Sequence, residues 1–266
     1  MNPRDNFQFK VTILGSGSCV PQPDRYPSSY FIQPPGISGG WLVDLGSGAL
    51  QHLAEIKENY QEIQSVFISH VHPDHISSLL PFLQALNYTP NFKRKEPLFI
   101  YGPWEVKEYL KRNLGFSISL RRDFPLEFVE LRDKKMINQE GWSLISRSLK
   151  HSSPTLGFRW EVDGCILVYG ADSQFCDALL ELAEGANLLI LESSFRKDNP
   201  NPGHLTTFQA GKIALESSVE KLLLSHLYPG VGNLSLEKRE SEVRASGYKG
   251  EIIFAEDLMS LNITPR

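Results

Sequence analysis

At 266 residues, with 41% hydrophobic and 22% charged residues, the chain falls in the range of one layered α/β domain burying its own core, which excludes a disordered or fibrous class. The formal net charge of −4 is too small to select nucleic acid or an anionic membrane as a partner. Cys19, Cys165 and Cys176 form no CxxC pair, which speaks against a disulfide framework and fits a reducing compartment.

The segment Met1–Phe7 has no apolar run of the signal-peptide kind, and no stretch approaches 18 consecutive apolar residues, so no membrane span and a cytoplasmic location are expected. Phe9–Leu14, Ser29–Gln33 and Trp41–Leu45 read as strands bounded by Gly, Ser or Pro. Gly48–Tyr60 carries Leu50, Leu53, Ala54 and Ile56 at helical spacing, with His52 read as a surface residue. A short buried strand at Ser65–Ile68 and a helix at Ile76–Leu86 follow, then a helix around Val106–Leu110. Residues 90–135 hold eleven Lys/Arg against seven Asp/Glu, a solvated surface or, on the sharper reading, a track for phosphate-rich substrate. Strands are expected at Trp142–Leu149, Leu156–Val162, Cys165–Tyr169, Leu188–Leu191, Lys221–Leu224 and Glu251–Phe254, with helices at Gln174–Ala183 and Thr207–Ser217. Two halves of strands followed by strand–helix alternation predict packed sheets with helices outside, in a single domain over 1–266.

The densest chemistry is Ser69-His70-Val71-His72-Pro73-Asp74-His75, directly after a strand. Four ligand-type side chains in six residues suit a core poorly, because each buried one needs a polar partner. They suit metal well. His70 and His72 project to one side of extended chain, and Pro73 turns Asp74 and His75 elsewhere. Four such neighbours crowd one tetrahedral ion and serve two adjacent ions better. His151, Asp172 and His226 also stand just past strand ends, where layered α/β folds place their sites. Gly15-Ser16-Gly17-Ser18 reads as a tight turn bordering the site or as a backbone anion cradle. Asp44, Glu192 and Ser69 or Ser225 are candidates to hold ligating imidazoles, with hydrogen bonding within the loops an equal reading for Asp44 and Glu192.

H-x-H-x-D-H, a later His, the Asp of a Gly-x-Asp turn and a final Ser-His resemble the metallo-β-lactamase superfamily, over most of the chain. The resemblance implies an α/β fold with four αββα layers. It implies one metal on His70, His72 and His151, a second on Asp74, His75 and His226, and Asp172 bridging both. Leu14-Gly15-Ser16-Gly17-Ser18, Pro21, Arg25, Ser28-Ser29, Leu191-Glu192-Ser193-Ser194-Phe195 and Gly203-His204-Leu205-Thr206 resemble its RNase Z-like phosphodiesterase branch. The chain departs from that branch where RNase Z carries a tRNA-gripping arm: His151 and Asp172 are only 21 residues apart. Asp44-Leu45-Gly46-Ser47-Gly48 and Arg25-Tyr26 also differ from its motifs. These departures resemble the small arm-less relatives.

The expected activity is hydrolysis of small or cyclic phosphodiesters by a metal-bridging hydroxide on two divalent ions, zinc first and manganese acceptable. Asp74 is expected to ligate metal and to accept the nucleophile's hydrogen bond, and His204 to hydrogen-bond the phosphate or protonate the leaving oxygen. RNA 3′-end cleavage, with RNA as partner, is the first alternative. Carboxyl-ester, lactone or thioester hydrolysis is the second, since metal polarises a carbonyl equally well. A homodimer is one assembly open to the chain, since the sequence does not fix the oligomeric state.

Overall fold

A computed structural model describes residues 9–121, 123–229 and 235–265; the amino-terminal segment read above lies outside them. The first half runs β1 (Phe9–Gly15), β2 (Ser29–Gln33), β3 (Trp41–Leu45), α1 (Ala49–Glu55), β4 (Ser65–Phe67), α2 (Pro73–Ile76), α3 (Leu79–Tyr88), β5 (Leu98–Gly102), α4 (Trp104–Asn113) and β6 (Leu126–Glu130). The second runs β7 (Lys135–Gln139), β8 (Trp142–Leu149), β9 (Thr155–Val162), β10 (Cys165–Tyr169), α5 (Asp177–Ala183), β11 (Leu188–Glu192), α6 (Thr207–Glu216), β12 (Lys221–Ser225), α7 (Leu236–Ala245), β13 (Glu251–Phe254) and β14 (Ser260–Ile263).

The strands form two seven-stranded sheets, ordered β14-β1-β2-β3-β4-β5-β6 and β13-β12-β11-β10-β9-β8-β7. Each joins an antiparallel part to a parallel part: β3, β4, β5 and β6 pair in parallel, as do β10, β11, β12 and β13. Alternation along each strand divides the core. Trp41 and Val43 on β3 pack into the interior that also holds Phe158, Trp160 and Leu167 of the other sheet. Leu42, between them, packs with Leu53, Phe82 and Val106 of the helices on the outer face. Strands buried on both faces read as unbroken apolar runs, which is why β3, β4 and β11 stand out in the sequence. Helices α5, α6 and α7 supply Leu179, Ile213 and Val243 to the second outer layer. The four αββα layers are those expected. Among the described residues no helix is long and apolar enough to cross a membrane.

Three expectations need correction. The first helix stops at Glu55 rather than Tyr60, with Lys57 at φ 61° closing it. The helix expected from Ile76 divides into α2 and α3. His52 is no surface residue: its side chain is 11% exposed, its Nδ1 lies 2.7 Å from the Leu14 carbonyl and 3.7 Å from Asp257, and Tyr26 packs edge-on against it.

Candidate metal centre

His70 follows β4 and His151 follows β8, while Asp172 and His226 come just after β10 and β12. Those strand ends meet. His70 Nε2 and His151 Nε2 lie 3.0 and 3.1 Å from His72 Nδ1. A tetrahedral ion with Zn–N of about 2.0–2.1 Å places its ligand nitrogens roughly 3.3–3.4 Å apart, so three imidazoles at this spacing match one face of such a shell. Beside them, His226 Nε2 is 3.4 Å from Asp74 Oδ2, and His75 Nε2 is 3.8 Å from the same oxygen. Asp172 stands between the two trios: Oδ1 is 3.4 Å from His75 Nε2, and Oδ2 is 3.4 Å from His226 Nε2 and 3.9 Å from His151 Nε2. All seven residues singled out from the sequence are thus brought together.

Hydrogen bonds around the cluster decide which nitrogen of each ring is bare. Asp44 is the extra residue of a bulge between β2 and β3, at φ 50°, and the bulge turns its carboxylate inward. It accepts from Ser69 N–H and Oγ, both at 2.8 Å, from His75 Nδ1–H at 2.7 Å and from Tyr169 O–H at 2.7 Å. Because Ser69 Oγ donates to Asp44, it accepts from His70 Nδ1–H, at 2.9 Å. His151 Nδ1–H donates to the Gly203 carbonyl at 2.8 Å. Gly203 holds φ 93°, and a Cβ there would lie 3.4 Å from the same imidazole nitrogen. On the opposite side, Ser194 Oγ donates to Glu192 and takes His226 Nδ1–H at 3.0 Å. Every Nδ1 so held carries the proton, and Nε2 of His70, His75, His151 and His226 points inward with its lone pair.

That arrangement fits a cation. His75 Nε2 is buried with no hydrogen-bond partner, a costly state for a polar atom facing two carboxylates unless something positive lies between them. Burial, then the neighbouring imidazoles, hold His70 well below its ordinary value, and burial likewise lowers His72 and His151, so all three are neutral imidazoles at pH 7. Burial pushes the Asp172 carboxyl up, but His226 and His75 outweigh it and hold it well below the usual range. Asp74 is also lowered, the His226 contact and His75 overcoming burial. Ala171 and His226, at φ 42° and 52°, add to Asp44 a local concentration of left-handed backbone, which surrounding structure must hold in place.

His204 sits beside the cluster. Its Nδ1–H donates to Glu192 at 2.9 Å and lies 3.9 Å from Asp172 Oδ2, and its ring stacks on His226 at 5.7 Å. Burial disfavours the imidazolium, but Glu192 outweighs it and raises His204 above its ordinary value. A capping box between Thr206 and Gln209 fixes the start of α6, and with it the loop that carries His204.

The supporting groups are partly those expected. Asp44, Glu192 and Ser69 hold imidazoles; Ser225 does not, since its Oγ accepts from Tyr30. Ser194 and Tyr169 take parts the sequence reading missed; the Glu-Ser-Ser run after β11 was the only available signal. The Gly15–Ser18 segment is extended chain rather than a tight turn: Gly17 bridges Pro27 and Leu227, and Ser16 N–H goes to Asp257 and Gly17 N–H to Tyr26 instead of to an anion. Several cations of the basic stretch have partners within the fold. Lys93, Lys111 and Arg132 pair with Asp123, Glu108 and Glu130, and Arg94 is buried among carbonyls.

The sequence profile of the β-lactamase superfamily domain matches residues 40–227, which contain all seven clustered residues. Ribonuclease Z of Mycobacterium bovis (strain BCG / Pasteur 1173P2) is 28% identical, covering 97% of this chain and 99% of the relative. That alignment extends over 283 positions, more than the 266 residues of this chain, so the relative carries residues absent here. Among solved structures, the metallo-β-lactamase fold protein YhfI from Bacillus subtilis superposes with a TM-score of 0.82 at 24% identity, covering 96% of this chain and 99% of that one. Human tRNase Z, short form, gives 0.77 at 22% identity with the same two coverages.

Proposed function

The chain belongs to the β-lactamase superfamily and is a metal-dependent hydrolase, and from that premise we propose that it is a dinuclear phosphodiesterase acting on small or cyclic phosphodiesters. One observation carries the choice of substrate. Between His151 and Asp172 the chain forms only the tight hairpin of β9 and β10, paired from Cys165↔Val162 to Tyr169↔Phe158. No segment projects there to grip a folded RNA.

In this reading His70, His72 and His151 would hold one ion and Asp74, His75 and His226 the other, with Asp172 available to either; zinc suits the His/Asp set best. Divalent ions bound there supply Lewis acidity toward a phosphoryl oxygen and lower the pKa of water toward about 7. The protein's own residues do the rest. Asp44 and Ser194 fix the imidazoles, so that little reorganisation is needed when charge builds on the phosphate. Asp74, half in contact with His226, accepts a hydrogen bond from the attacking water. His204, whose imidazolium Glu192 favours, donates to the departing oxygen. Burial of the cluster keeps bulk water from competing with these contacts.

A nuclease acting on RNA ends is the second reading, favoured by the match over nearly the full length of a relative named Ribonuclease Z. Turnover of bis(p-nitrophenyl) phosphate by the zinc-loaded protein, set beside a panel of lactones, tests the leading reading. Hydrolysis of the diester with the lactones untouched is expected; the reverse order would make the chain a carboxyl-ester or lactone hydrolase.

A further inference from the structure

Trp104 opens α4 with its side chain 48% exposed, although most large aromatic residues of this chain are packed between or beneath the sheets. Its position explains why exposure there has a use. β5 lies beside β4 and ends next to the loop that carries His70 and His72, the Ile68 N–H donating to the Tyr101 carbonyl at 2.8 Å. Two clefts meet at the indole. One, of about 540 Å³, runs from Val71, the residue between His70 and His72, past Trp104 to Tyr109 and Arg112. The other, of about 470 Å³, runs from Trp104 to Pro154, Thr155 and Leu156, just beyond His151. The ring is therefore a wall shared by clefts that border both segments of the first candidate metal trio. Lys107 Nζ lies 5.1 Å from its centroid, a cation–π contact that steadies the ring.

We propose that Trp104 is the base platform of this site: the diester it favours carries a nucleoside, whose base stacks on the indole while the phosphate lies at the His/Asp cluster. This rests on the phosphodiesterase reading and deepens it. An exposed aromatic face binds a nucleobase without sequence preference, because every base has a π-face. Glu105 borders both clefts, Glu108 lines the first, and Glu130 and Asp133 line the second, against Arg112 and Arg132. Glu108, Glu130 and Asp133 pair with Lys111, Arg132 and Arg147. Carboxylates are acceptor-only groups, and they suit base edges that offer N–H donors, such as the exocyclic amine of cytosine. Asn113, also in the first cleft, offers both a donor and an acceptor to the same edge.

The experiment compares wild type, Trp104→Ala and Trp104→Phe, zinc-loaded and full length, on cytidine 5′-(p-nitrophenyl phosphate) and on methyl p-nitrophenyl phosphate. The two esters share a leaving group and differ only in the nucleoside. Wild type should favour the cytidine ester, and Trp104→Ala should raise its KM by roughly 5–150-fold, the range that loss of one stacked base gives. Its kcat should move little, the methyl ester should be unaffected, and Trp104→Phe should recover most of the loss. A binding readout separates this inference from the reading beneath it. The fluorescence difference between wild type and Trp104→Phe should be quenched by cytidine 5′-monophosphate and not by inorganic phosphate. If wild type cleaves neither ester but the quenching is present, the phosphodiesterase reading fails and the base platform stands. If both esters slow equally in Trp104→Ala, or neither changes, or no quenching is seen, the base platform is wrong.

Discussion

Asp44 accepts the Nδ1–H of His75 at 2.7 Å, and through Ser69 the same carboxylate fixes His70, so one bulged residue orients an imidazole in each of the two trios. Every group facing Asp44 is a donor: the Ser69 N–H and O–H, the His75 N–H and the Tyr169 O–H. An amide NH2 in this position has nothing to donate to. Asp44→Asn should therefore lower zinc affinity by about 10–100-fold, the usual cost of losing a group that holds a ligand. Competition against a chromogenic chelator measures this. Wild-type affinity in a folded Asp44→Asn protein would mean that Asp44 serves the fold alone.

His204→Ala should keep both metals and lose about 10²–10⁴-fold in turnover of diesters with alkoxide leaving groups, the scale of general acid help. A p-nitrophenolate needs little protonation as it departs, so bis(p-nitrophenyl) phosphate should be cleaved by the variant with a much smaller loss. Loss of a metal in the variant, or equal slowing of both substrates, would make His204 a ligand or a positioning residue instead. Its Nδ1 is close enough to Asp172 and Glu192 for that outcome to be a real test.

The pH profile gives the same role an independent check. Burial opposes the His204 imidazolium, but Glu192 holds its pKa above the ordinary 6.5. The acid form then persists to higher pH than in a free imidazole and is lost as pH rises through the raised value. Rates on alkoxide-leaving diesters should fall along an alkaline limb that His204→Ala removes. A limb of unchanged position and depth in the variant would assign it to another group.

Intact pre-tRNA should be processed poorly by the pure protein, because β9 and β10 close directly between His151 and Asp172. Trimming assays on a pre-tRNA transcript check this at moderate salt, where loosely held RNA is released. Efficient 3′ trimming would require a grip elsewhere on the surface and would favour the nuclease reading.

The cluster was legible in the sequence because metal chemistry concentrates rare residues at fixed spacing: four residues of ligand type in His70–His75, then single ones after buried strands. Strands such as Trp41–Leu45 and Leu188–Glu192, buried on both faces, were legible for a related reason. β6 and β7 were not, since Glu127, Glu130 and Lys135 interrupt them on half-exposed edges. α7 escaped as well, its Leu236–Ala245 stretch being mostly charged, with Arg239 and Val243 its buried residues. The groups that hold the imidazoles depend on side-chain direction, which no spacing rule supplies. Ser225 adjoins His226 in sequence yet bonds Tyr30, while Ser194, 32 residues away, reaches the ring. His52 followed the same logic in reverse, an interior contact on a helix whose outward pattern suggested the surface.

The most direct test titrates metal-free protein with zinc while following turnover of bis(p-nitrophenyl) phosphate. Seven converging ligand residues exceed what one tetrahedral ion uses, and activity should rise until about two equivalents are bound and then level off, as two-metal chemistry requires. Full activity at one equivalent, with no gain from a second, would contradict the dinuclear site.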